Sequence, residues 1–319
     1  MSSSEYTLAG TKQAEGLWVL RAEDTVFRVS GGILSARSTV FRDMLSLPQP
    51  STSIEDTIDG CSVIRLPDSA TEVESFLRAI FDSNFFMPPP APVDFDVVIG
   101  ILRLAHKYDT QYLFRRALSH LDLLYPIDFD TCTKVHGRVF SREVHHIRFN
   151  RITTSTIVAL RVASEVGAIW MLPMIYYTIV CWSSFEGVEL GSAADMLAAD
   201  KMLCLAAQTN FLRQTLTSYR VFAGVPHQDC TSKDCYYFSA ESRNYLDYLS
   251  DEGLDVNPLR AVDRDMQLIN GCPLCREYLA EAAVRFTSRR RQFWEKLPSR
   301  FGLPGWDELK EMRRAVIES

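Results

Sequence analysis

Two stretches of alternating hydrophobic and polar residues near the start of the chain predict a β-hairpin. Residues 17–22 and the run that begins at Val26 have the two-residue period of a half-buried strand, in which neighbouring side chains point to opposite faces. Glu23-Asp24 separates the two runs and is typical of a turn. A third short strand is predicted over residues 63–66, after a polar loop at residues 56–60.

The hydrophobic period changes to three and four residues after these strands, which predicts helices. After the break at Gly31-Gly32, Ser38 caps a helix with one apolar side, formed by Val40, Phe41, Met44 and Leu45. A capping box of Thr71 and Glu74 predicts the start of the next helix. The predicted buried face of that helix consists of Val73, Phe76, Leu77, Ile80 and Phe81. Two more helices are predicted over residues 97–108 and 112–121, so that helices gather on a small sheet in an α+β domain.

Residues 27–45 read Phe-Arg-Val-x-x-x-Ile-Leu-Ser-Ala-Arg-Ser-x-Val-Phe-Arg-Asp-Met-Leu, which resembles the start of a BTB/POZ domain. The resemblance continues through Asp-Ser-Ala at residues 68–70 and His-Lys-Tyr-Asp at residues 106–109, and it covers about residues 14–125. Near the C-terminus, Phe-Gly-Leu-Pro-Gly-Trp at residues 301–306 and the late paired cysteines are similar to a fungal group of BTB-domain proteins. That group has a helical, cysteine-bearing C-terminal half.

The chain departs from the family pattern at residues 30–32. Ser-Gly-Gly stands there, where BTB domains usually have His-Arg or His-Lys just before the Leu-Ser-Ala segment. The hydrophobic-x-Glu element that cullin-binding relatives carry after the third helix is not evident either. The resemblance implies self-association through the first helices and exposed strands, and recruitment of a cullin scaffold for ubiquitin ligation is the less favoured implication.

Composition and period divide the chain into five predicted segments. Residues 1–13 are rich in Ser and Thr and are expected to be flexible, and residues 14–125 form the BTB/POZ-like domain. Residues 126–153 have no clear period and are interpreted as a linker. Residues 154–223 resemble the helical extension that often follows a BTB domain, and residues 224–319 form a helical module with paired cysteines. The predicted fold is an α+β BTB/POZ-like domain followed by a mostly α-helical C-terminal region.

Composition and charge narrow the classes of partner. The chain has 319 residues, of which 47% are hydrophobic and 23% are charged, as in ordinary soluble proteins with a sizeable core. The formal net charge of −6 makes nucleic acid an unfavoured partner. The most apolar run, residues 168–182, is shorter than the ~20 residues that cross a bilayer. Residues 1–16 have no secretory signal, so we expect a cytoplasmic or nuclear protein without a membrane segment.

Two cysteine pairs in the last third of the chain are the sharpest candidate for chemistry. Cys230 and Cys235 form one pair, and Cys272 and Cys275 form the other. Such pairs match the ligand set of a tetrahedral structural zinc ion, which would tie two loops together and leave no open position for catalysis. His227 is a candidate substitute ligand. Two alternatives stay open: four reduced thiols in a core, and a redox Cys-x-x-Cys, although no thioredoxin-like unit precedes Cys272.

The other candidate residues have ordinary structural interpretations. Four isolated cysteines are expected to fill the core: Cys61, Cys132, Cys181 and Cys204. His145-His146 is expected at the surface, and His106 in a structural role. Arg289-Arg290-Arg291, with Arg285 one turn earlier, can face an acidic partner or a phosphate backbone. More often such a run is the solvated side of a helix, here one with Phe286, Phe293 and Trp294 facing inward.

Catalytic signatures are missing from the sequence. It has no Gly-x-Ser-x-Gly elbow, no phosphate loop, no dinucleotide fingerprint and no His-Glu-x-x-His. We therefore predict a non-enzymatic interaction module, in which the BTB-like domain forms a homodimer or recruits a protein partner and the C-terminal half recognises something else. The alternatives are a transcription or chromatin regulator that uses the cysteine module, and a cullin-type substrate adaptor.

Overall fold

The computed structural model describes residues 16–46, 57–58, 61–135, 147–148, 152–186, 196–219, 256–259 and 276–318. The chain divides into two compact units. The N-terminal unit contains residues 1–121 and 146–148, and the C-terminal unit contains residues 122–145 and 149–319. Each unit has a hydrophobic core of its own.

A small mixed sheet forms one layer of the N-terminal unit. Strand β1 (Leu17–Ala22) pairs antiparallel with β2 (Thr25–Ser30), which confirms the predicted hairpin. β1 also pairs in parallel with the third predicted strand, here β4 (Cys61–Leu66). The predicted loop at residues 56–60 is wrong in part, because the β-branched pair Thr57–Ile58 forms β3, which is antiparallel to β4. The order in the sheet is β2-β1-β4-β3.

Helices form the other layer of the N-terminal unit. In the described part they are α1 (Gly31–Arg37), α2 (Thr39–Ser46), α3 (Ala70–Phe81), α4 (Phe95–Lys107) and α5 (Gln111–Asp122). The predicted capping box of α3 is wrong, because the Ser69 side chain caps the helix by accepting from the Glu72 amide. The predicted buried face of α3 is confirmed, except that Phe81 is only half-buried.

A second, two-stranded sheet belongs to the same unit. Strand β5 (Val93–Asp94) pairs in parallel with β6 (Ile147–Arg148). Val93 and Ile147 are buried, whereas the outward-facing pair forms a hydrogen bond of 2.7 Å from Arg148 Nε to Asp94 Oδ1. One strand of this short pairing, β6, therefore lies within the stretch that the sequence pattern interprets as a linker.

The C-terminal unit is built from helices in its described part. They are α6 (Phe129–Val135), α7 (Ile152–Glu165), α8 (Leu172–Glu186), α9 (Ala198–Tyr219), α10 (Arg276–Glu295), α11 (Leu297–Arg300) and α12 (Trp306–Ile317). A 3₁₀ turn at Ile169–Met171 precedes α8. Every residue from 170 to 181 is buried, so the apolar run of the sequence forms a core helix. No helix among the described residues has the length and apolar character to cross a membrane.

Aromatic side chains fill much of the core of the C-terminal unit. Phe211 of α9 and Phe293 of α10 meet edge-on, with ring centroids 5.0 Å apart. Tyr177 of α8 lies beside both rings. Its hydroxyl donates to Asn257 Oδ1 at 2.5 Å and accepts from the Leu259 amide at 3.0 Å. This satisfied hydroxyl joins the helices to the short segment at residues 256–259.

Candidate functional site

The candidate site is an outward-facing part of the N-terminal unit that consists of β2 and α1, and we call it the edge surface. β2 lies at the end of the sheet, so β1 is its only strand partner among the described residues. Val26 on β2 is exposed. An edge strand presents backbone donors and acceptors to which another chain can pair. The edge surface therefore offers both backbone groups and apolar side chains to a partner.

Helix α1 presents an apolar side chain to solvent next to this edge. Gly31 and Leu34 are buried against the unit, whereas the exposed side of the helix contains Ile33 and Ala36. Ile33 is 46% exposed, although isoleucine is one of the residues most often found in cores. Arg37, at the end of the helix, lies over the Tyr112 ring with its guanidinium carbon 5.3 Å from the ring centre.

Helix α2 buries less of its apolar side than its pattern indicates. Phe41 is fully buried and stacks on Tyr108 with ring centroids 4.6 Å apart. Val40, Met44 and Leu45 remain half-buried. Helices α1 and α2 together thus leave apolar area within reach of a partner, which is typical of interaction surfaces.

A polar cluster holds the first two helices in place. The Ser38 hydroxyl donates to the Tyr108 carbonyl, and the Thr39 hydroxyl donates to the Asp109 carboxylate. Hydrogen bonds from Thr39 and Gln111 lower the pKa of Asp109. The Tyr108 hydroxyl donates to Asp68 at 2.5 Å, and burial, followed by this bond, raises the pKa of that hydroxyl. Residues of the motifs at 68–70 and 106–109 therefore hold the first two helices in place through these hydrogen bonds.

Close packing explains the glycine at position 31, within the departure from the family pattern at residues 30–32. The Gly31 amide donates to the Gly16 carbonyl at 2.7 Å. A Cβ atom on Gly31 would lie 2.6 Å from Trp18 Nε1 and closer still to Trp18 Cδ1. The Trp18 indole therefore occupies the space that a side chain at position 31 would need. Gly32 faces open space, with Ser30 Oγ at 3.9 Å as the nearest atom to such a Cβ.

The two histidines described in this unit differ in burial. His106 is exposed and lies beside Phe114, with ring centroids 5.6 Å apart. His120, which the sequence pattern did not single out, is fully buried, and its Nε2 lies 2.9 Å from the Met87 carbonyl oxygen. The spacing of residues along α5 could have predicted its burial, because His120 follows the buried Ala117 by three residues and lies on the same side of the helix.

The predicted zinc ligands Cys230, Cys235, Cys272 and Cys275, and the substitute His227, lie outside the described residues. His145-His146 lies outside them too. Among the residues that the structure does describe, no group of three or more His, Cys, Asp or Glu side chains could hold a metal ion. The zinc site stays a prediction.

Three of the isolated cysteines fill the core of the C-terminal unit as predicted. They are Cys132, Cys181 and Cys204, and all three are buried. Burial, and then the charge of Asp200, raises the pKa of the Cys204 thiol to about 12. Burial also raises the pKa of the Cys132 thiol. Such thiols remain protonated and are poor nucleophiles. The side chain of Cys61 is not among those described.

The basic run of α10 binds within its own unit. Arg290 is buried, and its Nε and Nη2 donate to the Leu259 carbonyl at 3.1 and 2.6 Å, so the prediction of a solvated side is wrong there. Arg289 donates to the Thr217 carbonyl. Arg291 lies 3.6 Å from Asp130 and over the Phe129 ring. The predicted inward orientation of Phe286, Phe293 and Trp294 is confirmed. These arginines are therefore engaged in holding the unit together.

Comparison with known proteins identifies the domain that carries the edge surface. Residues 18–123 match the family model of the BTB/POZ domain. No curated protein and no solved structure matches the chain. The chain therefore contains an N-terminal BTB/POZ domain, with its small sheet and helices, followed by a mostly helical region, as predicted. A BTB/POZ domain is a protein–protein interaction module, and domains of this family are generally non-enzymatic.

Proposed function

We propose that this chain is an adaptor whose BTB/POZ domain forms a homodimer through the edge surface, while the C-terminal unit recognises a different partner. The observation that carries the proposal is the exposure of Ile33 on α1, beside a strand that has only one strand partner among the described residues. In a twofold dimer both subunits use the same surface patch, so Ile33 of each subunit is buried in the interface. Burying an isoleucine stabilises by about 1.5–3 kcal/mol.

The Ile33→Glu variant tests this proposal. Glutamate at that position removes the apolar contact and places two like charges in one interface, so we expect dimer association at least tenfold weaker than in the wild type. Sedimentation equilibrium over a micromolar concentration series measures it. The matched control is Met87→Glu, because Met87 is also 46% exposed but lies in the proline-rich loop before β5. A wild-type chain that stays monomeric, or an equal loss in both variants, counts against dimerisation through this surface.

The paired cysteines support a second proposal, one structural zinc ion in the C-terminal module. Two pairs of thiolates suffice for a closed tetrahedral site, and the binding energy of such a site contributes to folding. We expect the double variant Cys272→Ser, Cys275→Ser to lose the metal and unfold the C-terminal module, with the BTB/POZ domain left intact.

Elemental analysis and circular dichroism measure these two effects. The variant Cys230→Ser, Cys235→Ser should lose the same metal if the pairs share one ion. Wild-type protein that is purified without chelator and contains no zinc would rule the site out.

A further inference from the structure

Helix α9 exposes an unusually apolar face. Its exposed residues between 198 and 213 are Ala198, Ala199, Met202, Leu205, Ala206, Thr209, Leu212 and Arg213. At 100° per residue they cover an arc of about 140° along four turns. A solvated arc of this size normally carries several charges, whereas this one carries a single charge, on Arg213. We call these residues the α9 face.

The opposite side of α9 is held in the core, so the α9 face cannot turn inward. Cys204 and Phe211 are fully buried there. Near the start of the helix, Asp200 accepts a hydrogen bond of 2.5 Å from the Tyr176 hydroxyl. The exposure of Met202, 67%, is therefore a property of a fixed helix and not of a loose one.

Positive charge borders the α9 face. Arg300 of α11 reaches α9 by donating to Asn210 Oδ1, and Arg213 lies one turn further along the same helix. Neither guanidinium forms an ion pair with a carboxylate among the described residues, and the Arg300 Nε is buried without a hydrogen-bond partner there. Burial, and then the nearby charge of Arg213, lowers the pKa of Arg300. Two guanidiniums in this arrangement suit carboxylates of a partner.

The shape and charge of this region favour one kind of occupant. A second copy of α9 has no carboxylate on its exposed arc, so pairing of two copies would leave Arg213 and Arg300 without opposite charges. A membrane surface is bound by helices whose polar side is rich in Lys and Arg, whereas the opposite side of α9 is packed in the core. A helix with apolar residues at heptad spacing and acidic residues beside them satisfies both the apolar arc and the guanidiniums.

We propose that the α9 face is a docking site for an amphipathic helix of a partner protein, with acidic side chains along the edge that meets Arg213 and Arg300. The site lies in the C-terminal unit and does not depend on dimerisation by the BTB/POZ domain. The C-terminal unit would thus bind its partner through apolar contacts and ion pairs. Because the chain has a formal net charge of −6, attraction of an acidic helix has to come from this local patch.

Fluorescence anisotropy with two designed peptides tests the proposal on the full chain. Both peptides carry leucine at the a and d positions of four heptads, and the e and g positions are glutamate in one and lysine in the other. We expect the full chain to bind the glutamate peptide at least tenfold more tightly, with an affinity that falls as salt is added. The Arg213→Glu variant should reverse this preference, and Met202→Glu should weaken binding at least tenfold.

The matched control is Val284→Glu on α10. Val284 is 70% exposed and Met202 is 67% exposed, but Val284 lies on another helix. Val284→Glu should leave binding unchanged, and circular dichroism should show all three variants folded. Equal binding of both peptides, or an equal effect of Met202→Glu and Val284→Glu, overturns the proposal. It is also overturned if Met202→Glu abolishes self-association, or if vesicles of phosphatidylserine bind the α9 face in place of the glutamate peptide.

Discussion

Replacing Trp306 with alanine is expected to destabilise the C-terminal unit by about 3–5 kcal/mol, the usual cost of removing a buried tryptophan. Trp306 begins α12 and stacks on Trp294 of α10 with ring centroids 4.2 Å apart. Its Nε1 also donates to the Trp294 carbonyl at 2.7 Å. Alanine removes the stacking and the hydrogen bond and leaves a cavity between two helices, so three contributions are lost at one position.

Urea unfolding followed by far-UV circular dichroism measures this effect. Trp306→Phe keeps an aromatic ring but cannot donate to the Trp294 carbonyl, so we expect a smaller loss of about 1–3 kcal/mol. Glu311→Ala is the control for α12, because Glu311 is exposed, and a change within about 0.5 kcal/mol is expected there. An unfolding midpoint of Trp306→Ala equal to that of Glu311→Ala would contradict the role of the tryptophan pair.

Adjacent glycines are expected to respond to alanine with opposite signs. Gly31→Ala places a Cβ atom inside the Trp18 indole, and overpacking of this kind costs about 1–3 kcal/mol. Gly32→Ala meets open space in the first turn of α1 and reduces the freedom of the unfolded chain, so it should stabilise by about 0.5–1 kcal/mol. Differential scanning calorimetry of the two variants measures the difference.

A double-mutant cycle identifies the cause. Trp18→Val removes the indole, so Gly31→Ala should cost little in that background, with a coupling energy of about 1 kcal/mol or more. If Gly31→Ala costs the same with and without the indole, the close approach of Trp18 does not explain the glycine. The two glycine variants also separate stability from association. Gly31 is buried, so its replacement acts on stability, whereas Gly32 is exposed on the same helix as Ile33 and can affect association.

Local patterns predicted most of the elements of the BTB/POZ domain. The hairpin and the buried face of α3 can be predicted because a period of two, or of three and four, is visible in consecutive residues. The capping residue of α3 could not be predicted from the sequence, because Ser69 and Thr71 both offer a suitable side-chain oxygen within three residues. The five segment boundaries and the cytoplasmic or nuclear location stay predictions.

The candidate sites were harder to predict, because they depend on contacts between distant residues. Nothing in the sequence around Arg290 shows that a carbonyl 31 positions away accepts its hydrogen bonds. Polar and apolar residues are mixed along α9, so its apolar face is recognised only when the packed side is known. Conversely, Ser30-Gly31-Gly32 departs from a family pattern in the sequence itself, but only the structure shows that the Trp18 indole of a neighbouring strand requires the glycine at position 31.

The position of β2 at the sheet boundary has a consequence for solubility. A strand with an open side is a template for aggregation, since any extended segment can add to it, including one from an unfolded copy. The arginine at position 28 of β2 limits such growth, because a charged side chain on an edge strand opposes pairing with a further strand. A homodimer that covers the open edge of β2 would protect both subunits from aggregation. Conditions that separate the subunits would then favour precipitation.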